Sequence, residues 1–169
     1  MDGRTKVRPV EGMLALGGPM AIGAVIGMPG ALAGILHGAA VVPLVVAGVA
    51  LTTFPALYIV STLGGVAPSA SEMILGGVRG ARNGAVACIG LAAPAAFLVA
   101  SSRTPGLSLA LGMAILAVAA YAAVTAFWRA LYAEEPSRSR RQDAAAMFVL
   151  WAVLAGAIGG RILFTHLAE

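Results

Sequence analysis

The residues able to do chemistry in this chain are few, and most of them stand in one stretch. Between Thr53 and Gly84 lie Pro55, Tyr58, Glu72, Arg79 and Arg82: a carboxylate, two guanidiniums and a phenol between long charge-free runs. A carboxylate near two arginines can hold an anionic headgroup, fix orientation in a membrane or, with a base and an acid in reach of a substrate, transfer protons. Headgroup contact and orientation are the readings taken here, and no catalytic residue is assigned. Ser69-x-x-Glu72 is a capping-box pattern directly before Met73, Ile74 and Leu75, and it predicts a short surface helix over 69–78. A segment dipping into the bilayer is the alternative for 65–83.

Elsewhere the chemistry is thinner. Cys88 is the single cysteine, so no intrachain disulfide forms and no metal framework is signalled. His37 is expected in a turn, as an interfacial residue. No HExxH spacing occurs, and the glycines lie in apolar runs rather than after a strand, so neither a metal nor a phosphate-binding cofactor is expected. The net charge of +4 comes without a basic patch interleaved with aromatics, which argues against a nucleic-acid partner.

Composition says what must position these residues. The chain is 60% hydrophobic and 11% charged, against about 45–50% and about 25% in soluble domains. Residues 12–71, 83–102, 104–128 and 144–160 contain no Lys, Arg, Asp or Glu. A hydrocarbon core of about 30 Å takes about 20 helical residues. The first run is long enough for two spans and the others for one each. The expected fold is therefore all-α: an integral membrane bundle of five transmembrane helices with an interfacial helix. The spans are placed at 13–36, 42–63, 84–102, 107–128 and 144–165, after a cytoplasmic N-terminal segment 1–12. Arg4, Lys6 and Arg8 precede an apolar run longer than the h-region of a signal peptide, so the first anchor is expected to stay.

Local signals refine this layout. Pro19 and Pro29 kink or interrupt the first span, Pro43 opens the second, and Pro94 bends the third. Gly23, Gly27, Gly30 and Gly34 repeat at small-residue spacings that let a second backbone approach closely. They could serve a partner or homo-oligomer, or pack inside the chain's own bundle. Residues 133–145 read as a solvated polar loop. With the N-terminus inside, Arg4, Lys6, Arg8, Arg79, Arg82, Arg129, Arg138, Arg140 and Arg141 fall on the cytoplasmic side. Only Arg103 and Arg161 fall on the other, giving an N-in, C-out orientation.

Several motifs share an order with known proteins. Pro43–Leu44, then Phe54-Pro55-Ala56-Leu57-Tyr58 with Leu63-Gly64, then Leu91-Ala92-Ala93-Pro94-Ala95-Ala96-Phe97 resemble a family of small bacterial multi-pass membrane proteins of unknown function. The layout is also similar to the Yip-type five-span membrane proteins. The resemblance implies the multi-span fold and a bacterial inner membrane, and no activity. Some family members carry an actin-binding label, but this chain lacks an amphipathic helix followed by a basic LKK-type motif. Val42 stands where the family pattern has a basic residue. The expected role is a non-enzymatic membrane component that packs with a partner protein or organises the lipid bilayer. A small transporter or channel subunit is the alternative, and a membrane-embedded enzyme acting on lipid a further one.

Overall fold

A computed structural model describes residues 9–65, 68–102, 106–132 and 138–167, and all of the regular structure among them is helical. Arg4, Lys6, Arg8, Arg103 and the linker 133–137 lie outside the described residues. The helices are α1 (Pro9–Gly27), α2 (Ala31–Leu63), α3 (Ala70–Ser101), α4 (Leu107–Tyr132) and α5 (Arg138–Leu167). A single 3-10 turn, Met28–Gly30, separates α1 from α2.

Four stretches, not five, are long and apolar enough to cross a membrane: Ala15–Leu63, Ala70–Ser101, Leu107–Tyr132 and Arg141–Leu167. The first holds 49 residues and is folded back on itself at Met28–Gly30. Pro29 supplies no N–H and Gly30 no Cβ, so the helix stops there. The expected break at 37–41 is absent: His37 and Pro43 both lie inside α2. Pro43 does not open a helix; it is buried within one, and its missing N–H is tolerated with neighbouring side chains packed around it.

The two arms of this hairpin are held by glycine. A Cβ on Gly27 would meet the carbonyl of Gly34, and one on Gly23 the carbonyl of Gly38. These pairs run antiparallel in register, and no side chain separates the backbones. Gly30 sits in the turn with open space around it. The turn has a strained member, because Ala31 holds φ 53° and ψ −148°, a region that favours glycine.

α1 lies between α2 and α3 and also reaches α4, while α5 packs on α2 and more lightly on α4. A Cβ on Gly18 would come within 2.6 Å of the Ala85 backbone. α3 and α4 pair in antiparallel register, with Gly76 against Phe127, Gly80 against Ala123 and Gly84 against Ala119. Ile22, Val42 and Cys88 are the most deeply buried side chains, in a core that joins α1 to α4 with Leu163 of α5. No surface helix separates from α3. Residues 70–78 are its first turns, continuous to Ser101. The capping box starts this helix, and the row Gly76, Gly80, Gly84 gives the next turns a surface to pack against α4. The polar segment after 137 likewise begins α5 at Arg138 instead of remaining a loop.

The glycine contacts carry a test. Gly27→Leu forces the hairpin apart, and overpacking of this kind costs about 1–3 kcal/mol or more. Gly156→Leu is the control, because nothing lies within 4 Å of a Cβ there. Thermal unfolding in mild detergent should show a large loss for the first and little change for the second. Ala31→Gly should raise the midpoint, since relieving one strained backbone position is worth about 1 kcal/mol.

Candidate functional site

At the end of the bundle where α2 and α4 finish and α3 and α5 begin, four helices converge on aromatic rings. Phe54 of α2 stacks on Phe127 of α4, centroids 5.1 Å apart and planes at 16°. Phe148 and Trp151 of α5 close on Phe127 at 5.2 and 6.0 Å, and Trp151 also stands edge-on to Phe54 at 6.2 Å. Trp128 joins Phe148 at 5.3 Å and Tyr132 at 4.5 Å. Leu57 and Met73 are buried in the same cluster. Tilted and edge-on ring pairs of this kind add about 0.5–1.5 kcal/mol each beyond area burial.

The sequence makes the cluster possible in two ways. Phe54 can lie across α3 because Gly77 has no side chain; a Cβ there would fall 2.6 Å from the Phe54 ring. Trp151 is oriented by its indole N–H, which donates to the Thr53 carbonyl at 2.8 Å. That hydrogen bond joins α5 to α2 two residues before Pro55. Around the proline, the hydroxyls of Thr52 and Thr53 donate to the carbonyls of Gly48 and Val49.

The residues singled out by sequence are placed around this cluster and not in it. Pro55 and Tyr58 point outward from α2, while Phe54, Leu57 and Ser61 turn inward or lie at its edge. Glu72 folds back on its own helix start. The backbone N–H of Ser69 donates to its carboxylate at 2.8 Å and the Ser69 hydroxyl at 2.7 Å, while the Glu72 N–H donates to the Ser69 hydroxyl oxygen. The Ser69 hydroxyl first, and its backbone N–H second, hold Glu72 below the ordinary carboxylate range. Glu72 lies at the helix end, well before the charge-free stretch 83–102. Arg79 and Arg82 are exposed on the face of α3 turned away from α4. Tyr58, Glu72, Arg79 and Arg82 thus share one end of the molecule without converging on a point where a substrate atom could sit. Among the described residues, no group of three or more His, Cys, Asp or Glu side chains could hold a metal ion.

Of the glycines, Gly23, Gly27 and Gly34 are occupied by the hairpin, and Gly30 by its turn. At the far end of the bundle, His37 of α2 lies 3.4 Å from the His166 carbonyl of α5, through Nε2. Nδ1 of His166 lies 2.9 Å from the Ile162 carbonyl. The aromatic cluster was missed because its members are scattered over 54–151 with no local spacing to link them. The one usable signal was that Trp128 and Tyr132 fall one helical turn apart, beside Phe127 and before the polar linker, as Phe148 and Trp151 do after it.

The cap gives a pH test. Glu72 has a lowered pKa when folded, so its contribution is present above the ordinary carboxylate range. It is lost as pH falls through the lowered value. Protection of the first-turn amides of α3, taken relative to the intrinsic exchange rate at each pH, should fall on acidification in the native protein. In Glu72→Gln it should be low already at neutral pH and unchanged by acid. Phe127→Ala should cost about 3–5 kcal/mol, read as a fall in the unfolding midpoint.

Compared with known proteins, the chain matches no family model, no curated protein and no solved structure.

Proposed function

We propose that this chain is a non-enzymatic, multi-pass integral membrane protein that acts by packing, as a scaffold component of a membrane assembly or an organiser of lipid. One observation carries the reading. The outward faces of the helices are apolar, with Leu44, Leu51, Phe97 and Tyr121 all more than 70% exposed. A water-soluble bundle turns polar faces outward, and an apolar surface of this extent calls for lipid.

Both arms of the first stretch cross in this reading, which makes five passes. α1 is free of charge from Gly12 to Gly27, about 24 Å of helix at 1.5 Å per residue, and the Met28–Gly30 turn extends it toward a core of about 30 Å. The passes then alternate. The starts of α1, α3 and α5 and the ends of α2 and α4 share one side, with Arg79, Arg82, Arg129 and Arg141 near it. The Met28–Gly30 turn, the end of α3, the start of α4 and the end of α5 share the other. The excess of basic residues on the first side supports a cytoplasmic assignment for it. Arg79 and Arg82 serve orientation and headgroup contact, each adding about 1 kcal/mol at an anionic leaflet. A bacterial inner membrane is the compartment that the family resemblance supports.

Single cysteines test the topology, since Cys88 is buried and shielded from reagent. In intact cells an impermeant maleimide should label Gly30→Cys, where the turn is open. It should label Ser139→Cys only after permeabilisation. Labelling of both from the same side would rule out the five-pass arrangement. Release of the protein by alkaline carbonate would rule out membrane integration itself.

A further inference from the structure

We propose that Arg79, Arg82 and Asn83 of α3 form one binding site for the phosphate of a lipid whose headgroup is a bare phosphate monoester, phosphatidic acid. The proposal rests on the membrane reading and the headgroup contact above. It adds a third residue and the class of lipid.

The first observation is an excess of donors. Arg79, Arg82 and Asn83 are all exposed. Arg82 and Asn83 follow Arg79 by three and four residues, which puts each of them beside it on the outward face of the helix. Among the described residues, none of the three has a hydrogen-bond or ion-pair partner. Glu72 is the one carboxylate of α3, and it is already engaged by the Ser69 hydroxyl and backbone N–H. Two guanidiniums and a side-chain amide are therefore left without an acceptor, and a phosphate supplies several.

The second observation is depth. Phe54 lies against Gly77 and Phe127 against Gly76, which fixes the level of the aromatic cluster on α3. Arg82 and Asn83 stand five to seven residues farther along, about 7–10 Å deeper into the bundle. Leu51, three residues from Phe54 in the same direction, and Val153, two residues past Trp151, are largely exposed. At the level of these polar groups the other helices thus turn apolar side chains outward. An arginine can extend back to the headgroups, because side chains on α3 tilt toward its start. The short amide of Asn83 cannot, and an amide without a partner at that depth is costly. Its partner has to come down to it.

Donor excess and depth together select the ligand. A phosphate monoester bears a charge of about −1.5 to −2 at neutral pH, which two guanidiniums balance, and the guanidinium fork fits phosphate oxygens in pairs. With nothing attached beyond the phosphate, such a lipid reaches below the aromatic rings without drawing glycerol, serine or choline out of water. Arg161 of α5 is exposed as well, but no other basic or amide side chain lies within four residues of it, so it serves as a control.

The test uses the full chain in mild detergent, with bound lipid counted by native mass spectrometry. Phosphatidic acid, phosphatidylglycerol and phosphatidylserine with identical acyl chains are titrated in turn. One phosphatidic acid should be retained at about tenfold lower concentration than either of the others. Asn83→Ala, which leaves the net charge unchanged, and Arg82→Gln should each weaken that binding about tenfold with little change in the unfolding midpoint. Arg161→Gln should leave it as it is. Equal retention of the three lipids, or undiminished binding by Asn83→Ala, would overturn the proposal and reduce the arginines to diffuse attraction. Displacement of the lipid by inorganic phosphate at equal concentration would overturn it too, by assigning the site to a soluble anion. Failure of the membrane reading has a separate signature: alkaline carbonate would release the protein from cell membranes, whatever lipid the detergent-solubilised chain retains.

Discussion

The bundle depends on backbones approaching closer than any side chain would allow. At Gly23–Gly38 and Gly27–Gly34 a Cβ would sit on the opposing carbonyl, and at Gly18 against the Ala85 backbone. In water, burying apolar area would reward bulkier residues at such positions. In the bilayer proposed for this chain the surroundings would be as apolar as the side chains, so the gain on association would come from dispersion between closely fitted surfaces. Glycine then contributes by what it omits. The same constraint recurs between α3 and α4 along Gly76, Gly80 and Gly84, which is why a segment bearing two arginines runs straight through as helix.

A different interaction holds the fifth helix. α5 meets α2 and α4 through side chains, and its glycines stand off. Gly156 faces open space, and Gly159 and Gly160 reach only Val49 and Met113 at 3.5–3.9 Å. Its position is set at one end by Phe148, Trp151 and the hydrogen bond from Trp151 to Thr53. Toward the other end Leu163 is buried in the main core, and His37 approaches the His166 carbonyl. Rings and directed hydrogen bonds specify orientation where backbone proximity does not.

The sequence was informative about class and less so about layout. Charge-free runs and glycine content lead directly to long apolar helices. The first turn was misplaced because His37 and Pro43 look like a break, whereas inside a packed hairpin a proline costs little. A better signal was present: Gly23 and Gly27 mirror Gly34 and Gly38 about Gly30–Ala31, a symmetry that only antiparallel arms require. The capping box at Ser69 marks where a helix begins but not how far it runs, and Gly76, Gly77, Gly80 and Gly84 look like a break after 78. Three of the four lie on one helical face, and that periodicity marks a packing ridge. The polar residues Tyr58, Glu72, Arg79 and Arg82 were grouped by their nearness in sequence, but α2 and α3 turn them outward or along their own helix, so nearness in sequence did not become convergence in space.

These two modes of attachment divide the molecule energetically. α1 through α4 share glycine contacts and one continuous core, so loosening any of those contacts loosens all four helices together. α5 is joined through the aromatic end, a single buried leucine and a histidine contact. Local opening follows the boundaries where packed contacts are fewest, and here that boundary runs between α5 and the rest. Losing a ring at the aromatic end should free α5 while the four-helix core remains folded. Losing the hairpin's close approach removes the support on which both α3 and the base of α5 rest. The aromatic cluster is therefore the joint of the fold, and the glycine hairpin is its frame.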